Sequence, residues 1–248
     1  MTTPRTTSDG SADALPTPWQ RLLALSGIAF AVLLIVGWFI SGSDAPDYTA
    51  ADQEWTNWAA DNVSKSRIGA LLILLAGFVF LHFAGMIRSV LGSAEATVRG
   101  SVQLARTAFA GAVTGITGIT MAVVIIAGAT AEGADANPLV TKAVATVSVG
   151  PFLVAAMGFA ALLAATGLLT LRSGAFARWI GILALLGALA FFITFFTLLA
   201  GVSEDSVFGY GFPVGFLALA IWSIATSIAR YRTVATTTPE SPPTEADS

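Results

Sequence analysis

The 248-residue sequence contains no cysteine and only one histidine, His82. Without cysteine there can be no disulfide, no thiolate nucleophile, no iron–sulfur cluster and no cysteine-type zinc site. A single histidine excludes bis-histidine haem ligation and any metal site built from several histidines of one chain. Catalytic templates such as GxSxG and HExxH are also missing. We therefore predict no metal, no cofactor and no enzymatic activity.

Charged residues are scarce as well. They make up 11% of the chain, whereas 55% of its residues are hydrophobic and the mean hydropathy is +0.79. A soluble domain carries about 25% charged residues, so a soluble fold of this length would lack the charge to cover its surface. The net charge of −3 gives no reason to expect nucleic-acid binding. The composition predicts an integral membrane protein whose first partners are lipids.

Apolar stretches long enough to cross a bilayer occur six times. A helix needs about 20 apolar residues to cross the hydrocarbon core, and helices are expected because lipid offers the backbone no hydrogen-bond partner. The first stretch fits an uncleaved span better than a signal peptide. We predict an all-α bundle with six transmembrane spans, at about 22–40, 68–91, 107–129, 139–171, 179–201 and 212–229.

The two ends of the chain have a different composition. Residues 1–18 and 233–248 are rich in Thr, Ser, Pro and acidic residues. Such segments cannot bury enough apolar area to offset the entropy of ordering. We predict two disordered tails around a membrane domain of residues 19–232.

Basic residues are distributed unequally between the two sides. Nine lie on the side of the termini and three, Lys65, Arg67 and Lys142, lie on the other. We therefore predict a multi-pass protein of the plasma membrane, and the positive-inside rule places both of its termini in the cytoplasm. The nine are Arg5, Arg21, Arg88, Arg99, Arg106, Arg172, Arg178, Arg230 and Arg232.

The longest predicted outer loop, 41–67, carries two tryptophans. Thr49 can cap a short helix at about 49–63 that places Trp55 and Trp58 near one face. Because an indole ring is partly apolar and partly polar, it favours the depth of the membrane interface. We predict a helix that lies at the outer interface, and a lid that binds a ligand or partner is the alternative.

Small residues recur at helical spacing in three of the spans. Lipid tails are as apolar as leucine, so transmembrane helices associate by close packing of such residues. Thr114 and Thr117 flank the clearest of these stripes, and their hydroxyls can bond to a neighbouring helix. The predicted packing residues are Gly111, Gly115, Gly118 and Ala122 in the third span, Ala70, Gly77 and Ala84 in the second, and Gly211 and Gly215 at the sixth.

The fourth apolar segment is longer than a straight crossing requires. Pro151, preceded by Gly150, lies inside it and removes one helical hydrogen bond, so a kink is expected there. Asn137 and Pro138 form a good helix start, with Asn as the cap and Pro at the first position. Kinked helices serve as hinges in some transporters, whereas a purely structural bend is the simpler interpretation.

His82 is the one ionisable residue well inside a predicted span. Such residues are costly in a membrane and are functional candidates by default. No carboxylate accompanies His82 in the spans to form a proton relay. A neutral, buried histidine with one hydrogen bond is the simpler interpretation, and proton transfer or ligand binding is the alternative.

Two loose motifs resemble a family. They are Trp58-Ala-Ala-Asp-Asn62, followed by Arg67-Ile-Gly69 and a span ending at Arg88, and Arg172-Ser-Gly174 with Ala177-Arg-Trp-Ile-Gly181. The chain thereby resembles a broad group of six-span membrane proteins of unknown function from high-GC bacteria, although Pro is expected where Ala177 stands. The resemblance implies a fold and a bacterial inner membrane, and it implies no reaction.

These observations favour an accessory or structural membrane component that packs with lipids, with other membrane proteins or with itself. A small-solute or lipid transporter built around the Pro151 kink and the threonines of the third span is the alternative. A membrane enzyme centred on His82 comes third, since it needs a polar cluster that the sequence does not show.

Overall fold

The computed structural model describes residues 18–41, 44–98, 103–131, 133, 137–196 and 210–236. These residues form helices and no strand, which confirms the all-α prediction. The helices are α1 (Pro18–Ser41), α2 (Asp52–Glu95), α3 (Leu104–Ala129), α4 (Pro138–Val147), α5 (Val149–Ser173), α6 (Arg178–Thr194) and α7 (Gly211–Thr236).

Five helical segments of the described chain are long and apolar enough to cross a membrane. They comprise Arg21–Ser41, Asp52–Glu95, Leu104–Ala129, Pro138–Ser173 and Gly211–Ala235. Helix α6 is equally apolar but has 17 residues. The predicted fifth span continued to residue 201, and its last five residues, 197–201, lie outside the described residues.

Helix α2 is twice as long as a single crossing requires. Its 44 residues, at about 1.5 Å each, extend over about 66 Å, against about 30 Å of hydrocarbon. The prediction of a separate helix at 49–63 is wrong, because residues 52–63 are the first part of α2 and residues 49–51 form a turn before it. No glycine or proline between Asp52 and Ile68 stops the helix.

The fourth apolar segment is interrupted at Ser148. Helix α4 ends at Val147 and α5 begins at Val149. Pro151 accounts for this break, because it has no N–H for the carbonyl of Val147 and its ring would clash with that carbonyl. The expected start of the segment is confirmed, since Oδ1 of Asn137 accepts a hydrogen bond from the backbone N–H of Leu139 at 3.1 Å.

The helices form a closed ring in the order α1, α2, α3, α5, α6 and α7, and α7 returns to α1. Helices α1 and α7 are antiparallel, since Gly27 lies against Ser227 whereas the Trp38 and Phe216 rings are 6.3 Å apart. The start of α1 and the end of α7 therefore share one end of the bundle, the termini end. The start of α2 lies at the opposite end, the cap end.

Aromatic rings fill the middle of the ring of helices. Phe159 of α5 is fully buried, and its ring centroid lies 5.9 Å from that of Phe80, 5.6 Å from Phe191 and 5.8 Å from Phe216. These contacts connect α2, α5, α6 and α7. Aromatic pairs at such distances add about 0.5–1.5 kcal/mol each beyond the area that they bury, so the centre is a packed core.

Both predicted tails are shorter than expected where the structure describes them. Pro18, assigned to the first tail, is the first residue of α1, a position that suits its fixed φ. Residues 233–236, assigned to the second tail, continue α7, and Val234 is buried. Residues 1–17 and 237–248 lie outside the described residues.

Candidate functional site

The start of α2 is part of a small cap at the cap end. We use the name cap for residues 44–66 together with α4 and the last turn of α3. Trp55 and Trp58 are 2% and 8% exposed in it, packed with Ala129 and Ala145. The predicted interfacial anchoring of these tryptophans is therefore wrong, because the rings lie inside the protein. The other face of this part of α2 is polar, and Gln53, Asn57 and Asp61 are exposed on it.

Hydrogen bonds hold the two indoles in place. Nε1 of Trp55 donates to the carbonyl of Asp47 at 3.1 Å, and Nε1 of Trp58 donates to Oδ1 of Asp44 at 3.2 Å. Buried indole N–H groups need such partners. The turn before α2 is thereby tied to the helix, and the expected cap from Thr49 is replaced by Ala51, which makes no side-chain cap.

A single ion pair joins α4 to the start of α2. Nζ of Lys142 lies 3.0 Å from Oδ1 of Asp52 and donates to the carbonyl of Ala50 at 2.7 Å. The two side chains are partly exposed, so the pair contributes little free energy by itself. The cap is therefore held mainly by its buried rings.

The glycine stripe of α3 faces α5 at contact distance. A methyl group added to Gly111 would lie 2.6 Å from the carbonyl oxygen of Gly158, and one added to Gly118 would lie 2.5 Å from the backbone nitrogen of Ala155. A methyl group on Gly115 would meet the ring of Phe159 at 2.6 Å. The two backbones are in contact here, which leaves no room for a path between α3 and α5.

The remaining predicted packing residues lie at other helix pairs. Gly77 of α2 faces Ile116 and Thr120 of α3, while Gly211 and Gly215 of α7 face α6 at the carbonyl of Ala190 and the ring of Phe191. The other three predicted packing residues are alanines that are buried in the bundle, Ala70, Ala84 and Ala122.

The threonines and the kink residues lie in different surroundings. Thr114 is half-buried, and Thr117 is exposed on the side of α3 away from α5. A methyl group on Gly150 would meet nothing within 4 Å. Pro151 contributes its carbonyl oxygen to the contact with Gly118. Pro151 thus lies at the close contact of α3 and α5, whereas Thr117 and Gly150 do not.

His82 lies on the outer surface of the bundle. The prediction that its side chain is buried is therefore wrong. It is exposed among apolar side chains of α2, and its ring centroid is 4.9 Å from that of Phe78. Nδ1 lies 3.0 Å from the carbonyl oxygen of Phe78, one turn earlier. Nε2 makes no hydrogen bond to any described residue. Within the described residues, no carboxylate forms an ion pair with His82.

Small and polar residues continue from His82 along the same face. Gly85 and Gly92 both face open space, with nothing within 4 Å of an added methyl group. Spacings of four and three residues place the set within about 80° of the helix circumference, at about 100° per residue. This set, here called the outward stripe, consists of Phe78, His82, Gly85, Ser89 and Gly92, all exposed.

The outward stripe is the candidate functional site. Its spacing is the one by which small residues allow helices to pack at close range. The sequence shows this spacing, but α2 is apolar on several faces, and only the neighbours α1 and α3 decide which face stays open. Sequence reasoning also missed six close-contact glycines of the described residues, Gly27, Gly37, Gly69, Gly158, Gly167 and Gly187.

Comparison with known proteins does not assign the chain to a family. No protein-family model, curated protein or solved structure matches the chain. The resemblance to six-span proteins of high-GC bacteria therefore stays a prediction.

Proposed function

We propose that the protein is an accessory or structural component of a membrane, and that it binds a transmembrane helix of another membrane protein through the outward stripe. The observation that carries this proposal is the exposed position of His82 between apolar side chains and open glycines. Among the other helical glycines of the described residues, Gly128 and Gly150 also face open space and the rest lie against neighbouring helices. The outward stripe differs from these positions because it includes the histidine.

The free-energy cost of exposing the His82 ring to lipid supports the presence of a partner. His82 lies about 14 residues into the apolar part of α2, or about 21 Å along it. A polar ring facing hydrocarbon is unfavourable, and Nε2 has no partner among the described residues to offset this. A partner helix that supplies one hydrogen-bonding group removes that cost, and Gly85 and Gly92 let its backbone approach closely.

Transport, the alternative function, gains no specific support. The path expected between the third and fourth spans is occupied by the contact of Gly111 and Gly158 and by the ring of Phe159. Thr117, expected to line such a path, is exposed on the other side of α3. An enzyme centred on His82 gains none either, because this side chain faces outward and forms no ion pair with a carboxylate of the described residues.

The absence of cysteine makes a site-specific test direct. Leu81→Cys, on the exposed face of α2 beside the outward stripe, carries a benzophenone-maleimide label, and Leu168→Cys is the control, since Leu168 is exposed on α5. Irradiation of membranes should join the label at position 81 to one protein of defined mass and give no such product at position 168. A product of twice the chain mass would assign the stripe to self-association, and equal products at both positions would remove the proposal.

We also propose that the termini end faces the cytoplasm. The uneven distribution of basic residues supports this. Asn57 and Ser93 are both exposed and lie near opposite ends of α2. In intact cells, Asn57→Cys should react with a membrane-impermeant maleimide and Ser93→Cys should not. The reverse pattern would invert the orientation, and labelling of both from outside would contradict the crossing of α2.

A further inference from the structure

Three aromatic rings mark the level at which the membrane-crossing part of the bundle ends on the side of the cap. The ring of Phe152, in the first turn of α5, lies 6.0 Å from that of Trp38 and 5.2 Å from that of Phe212. Trp38 belongs to the last turn of α1 and Phe212 to the first turn of α7. Helix α4 precedes Phe152 in the chain and lies beyond this level, together with the rest of the cap.

Helix α4 lies beside the part of α2 that extends beyond the lipid. Nζ of Lys142, in the middle of α4, is 3.0 Å from Oδ1 of Asp52, the first residue of α2. The apolar part of α2 begins at Ile68, which is 16 residues further along the helix. At about 1.5 Å per residue this separation is about 24 Å. The exposed residues of α4 therefore face water, because the hydrocarbon ends well below them.

The two helices of the cap expose different surfaces to this water. The exposed face of α2 is polar and carries Gln53, Asn57 and Asp61. A helix face in water is normally of this kind. The exposed face of α4 is apolar, and three of its residues are 68%, 56% and 63% exposed. This face, here called the α4 arc, consists of Leu139, Val140, Ala143 and Val147.

The α4 arc lies on the side of the helix away from the rest of the cap. At about 100° per residue its members cover about 100° of the circumference. Thr141 and Ala145, which are buried in the cap, lie on the opposite side. An apolar face that projects into water is typical of a surface that binds another protein.

The absence of charge from the α4 arc favours a second copy of the chain. A two-fold contact places every side chain near its own equivalent, so a charged face would repel itself. Lys142 is the one charged residue of α4, and it lies outside the arc in an ion pair with Asp52. The α4 arc can therefore meet its own copy without repulsion.

Membrane insertion aligns two copies for this contact. Chains inserted in the same orientation present α4 at the same height and parallel to its equivalent. Val140, Ala143 and Val147 follow spacings of three and four residues, and β-branched residues at the first position of such a seam favour two-stranded contacts. Burial from water stabilises the contact of the arcs, whereas lipid gives the apolar face of α5 no such driving force.

We propose that two copies of the chain form a dimer through the α4 arc, with α4 against α4 around a two-fold axis perpendicular to the membrane. This proposal is independent of the outward stripe, which lies within the membrane on α2. Since α4 contacts α2 and α3 with its other face, the dimer leaves the outward stripe of each copy open to its own partner.

The absence of cysteine allows a direct cross-linking test. Oxidation of membranes with copper phenanthroline should join Val140→Cys chains into disulfide-linked dimers, because position 140 lies on the seam. Asn57→Cys is the matched control, exposed in the same cap on the polar face of α2. The yield of dimer should be at least about tenfold higher at position 140, since the contact raises the effective concentration of the two thiols. Equal yields at both positions would indicate random collision and overturn the proposal.

A second test measures the equilibrium of the full chain. Val140→Asp places two carboxylates against each other in the dimer and should weaken association about tenfold or more, whereas Asn57→Asp adds the same charge away from the contact and should leave association unchanged. Energy transfer between copies labelled at Ser93→Cys, in phosphatidylcholine liposomes of decreasing protein density, measures both variants. If Val140→Asp does not fold, the cross-linking at position 140 decides.

Three results would overturn the second copy as the occupant. The first is energy transfer that stays at background for the unchanged chain, or that is equal in Val140→Asp and the unchanged chain. The second is failure of Val140→Cys to react with a membrane-impermeant maleimide in dilute liposomes, which would mean that another part of the same chain covers the α4 arc. The third is a Val140→Cys disulfide or cross-link to a different protein, which would assign the arc to that protein.

Discussion

Two stripes of small residues, one on α3 and one on α2, have nearly the same spacing but opposite surroundings. Gly111, Gly115 and Gly118 of α3 meet the backbone and the Phe159 ring of α5. Gly85 and Gly92 of α2 meet nothing within 4 Å. The spacing allows a close approach in both cases, and the fold decides whether the approaching helix belongs to the same chain.

The comparison separates the residues that stabilise the bundle from those that remain available to a partner. A substitution on the α3 stripe should act on folding, because the contact is already made. The same substitution on the outward stripe should act on association, because the contact there forms only with a second molecule.

The largest effect is expected at the α3–α5 contact. A methyl group on Gly158 would overlap the backbone nitrogen of Gly115 and lie 2.6 Å from its Cα. Gly158→Leu should therefore destabilise the bundle by about 3 kcal/mol or more, since overpacking against backbone cannot be relieved by a change of rotamer. Thermal unfolding in detergent checks this, and a melting temperature equal to that of the unchanged chain would break the comparison.

The matched substitution on the outward stripe should leave folding intact. Gly85→Leu adds the same side chain in open space, and leucine favours helix over glycine. We expect a melting temperature at or slightly above that of the unchanged chain, together with loss of most of the cross-linking partner. Strong destabilisation by Gly85→Leu would show that the α2 stripe is packed in the same way as the α3 stripe.

Substitution of His82 tests the same comparison at a single polar group. His82→Leu removes a ring whose only hydrogen bond among the described residues is to Phe78 on its own helix. The variant should fold as well as the unchanged chain, while association should weaken about tenfold through loss of one hydrogen bond in the membrane. Titration of the cross-linking yield against protein density measures this effect, and an unchanged yield would exclude His82 from the contact.

A moderate effect is expected in the cap. Trp58→Phe keeps an aromatic ring but removes the Nε1 hydrogen bond to Asp44, which should cost about 1 kcal/mol. Chemical denaturation of the purified protein would detect this loss, with Trp19→Phe as the control because Trp19 is exposed. Equal losses in both variants would indicate that the cap bond contributes nothing.

The smallest effect is expected at the ion pair of the cap. Lys142→Met removes the pair with Asp52, whose side chain is 43% exposed. Partly exposed pairs contribute about 0–1 kcal/mol, and salt weakens them. The stability difference between Lys142→Met and the unchanged chain should shrink further in high salt. A difference well above 1 kcal/mol would mean that the pair organises the cap.

The architecture could be predicted because lipid restricts the choices. Backbone groups in hydrocarbon must bond within their own segment, so apolar stretches of sufficient length give the helices directly. The effect of Pro151 could also be anticipated, since a proline acts on the turn before it, where Ser148 interrupts the helix. The start at Asn137 follows from local chemistry alone.

The errors arose where tertiary packing decides. The expected interfacial position of Trp55 and Trp58 ignored α4, which folds over residues that otherwise match an interfacial helix. The burial assigned to His82 was wrong because several faces of α2 are apolar, and periodicity cannot say which one α1 and α3 cover.

The most direct test of the two stripes is the mass of the assembly extracted with its native lipid. In polymer nanodiscs cut from membranes, the unchanged chain of 25.5 kDa should appear by native mass spectrometry with one additional protein of constant mass. Gly85→Leu should appear without that protein, folded and at the same yield. An identical assembly for both chains would contradict the account, because the outward stripe would then hold no partner.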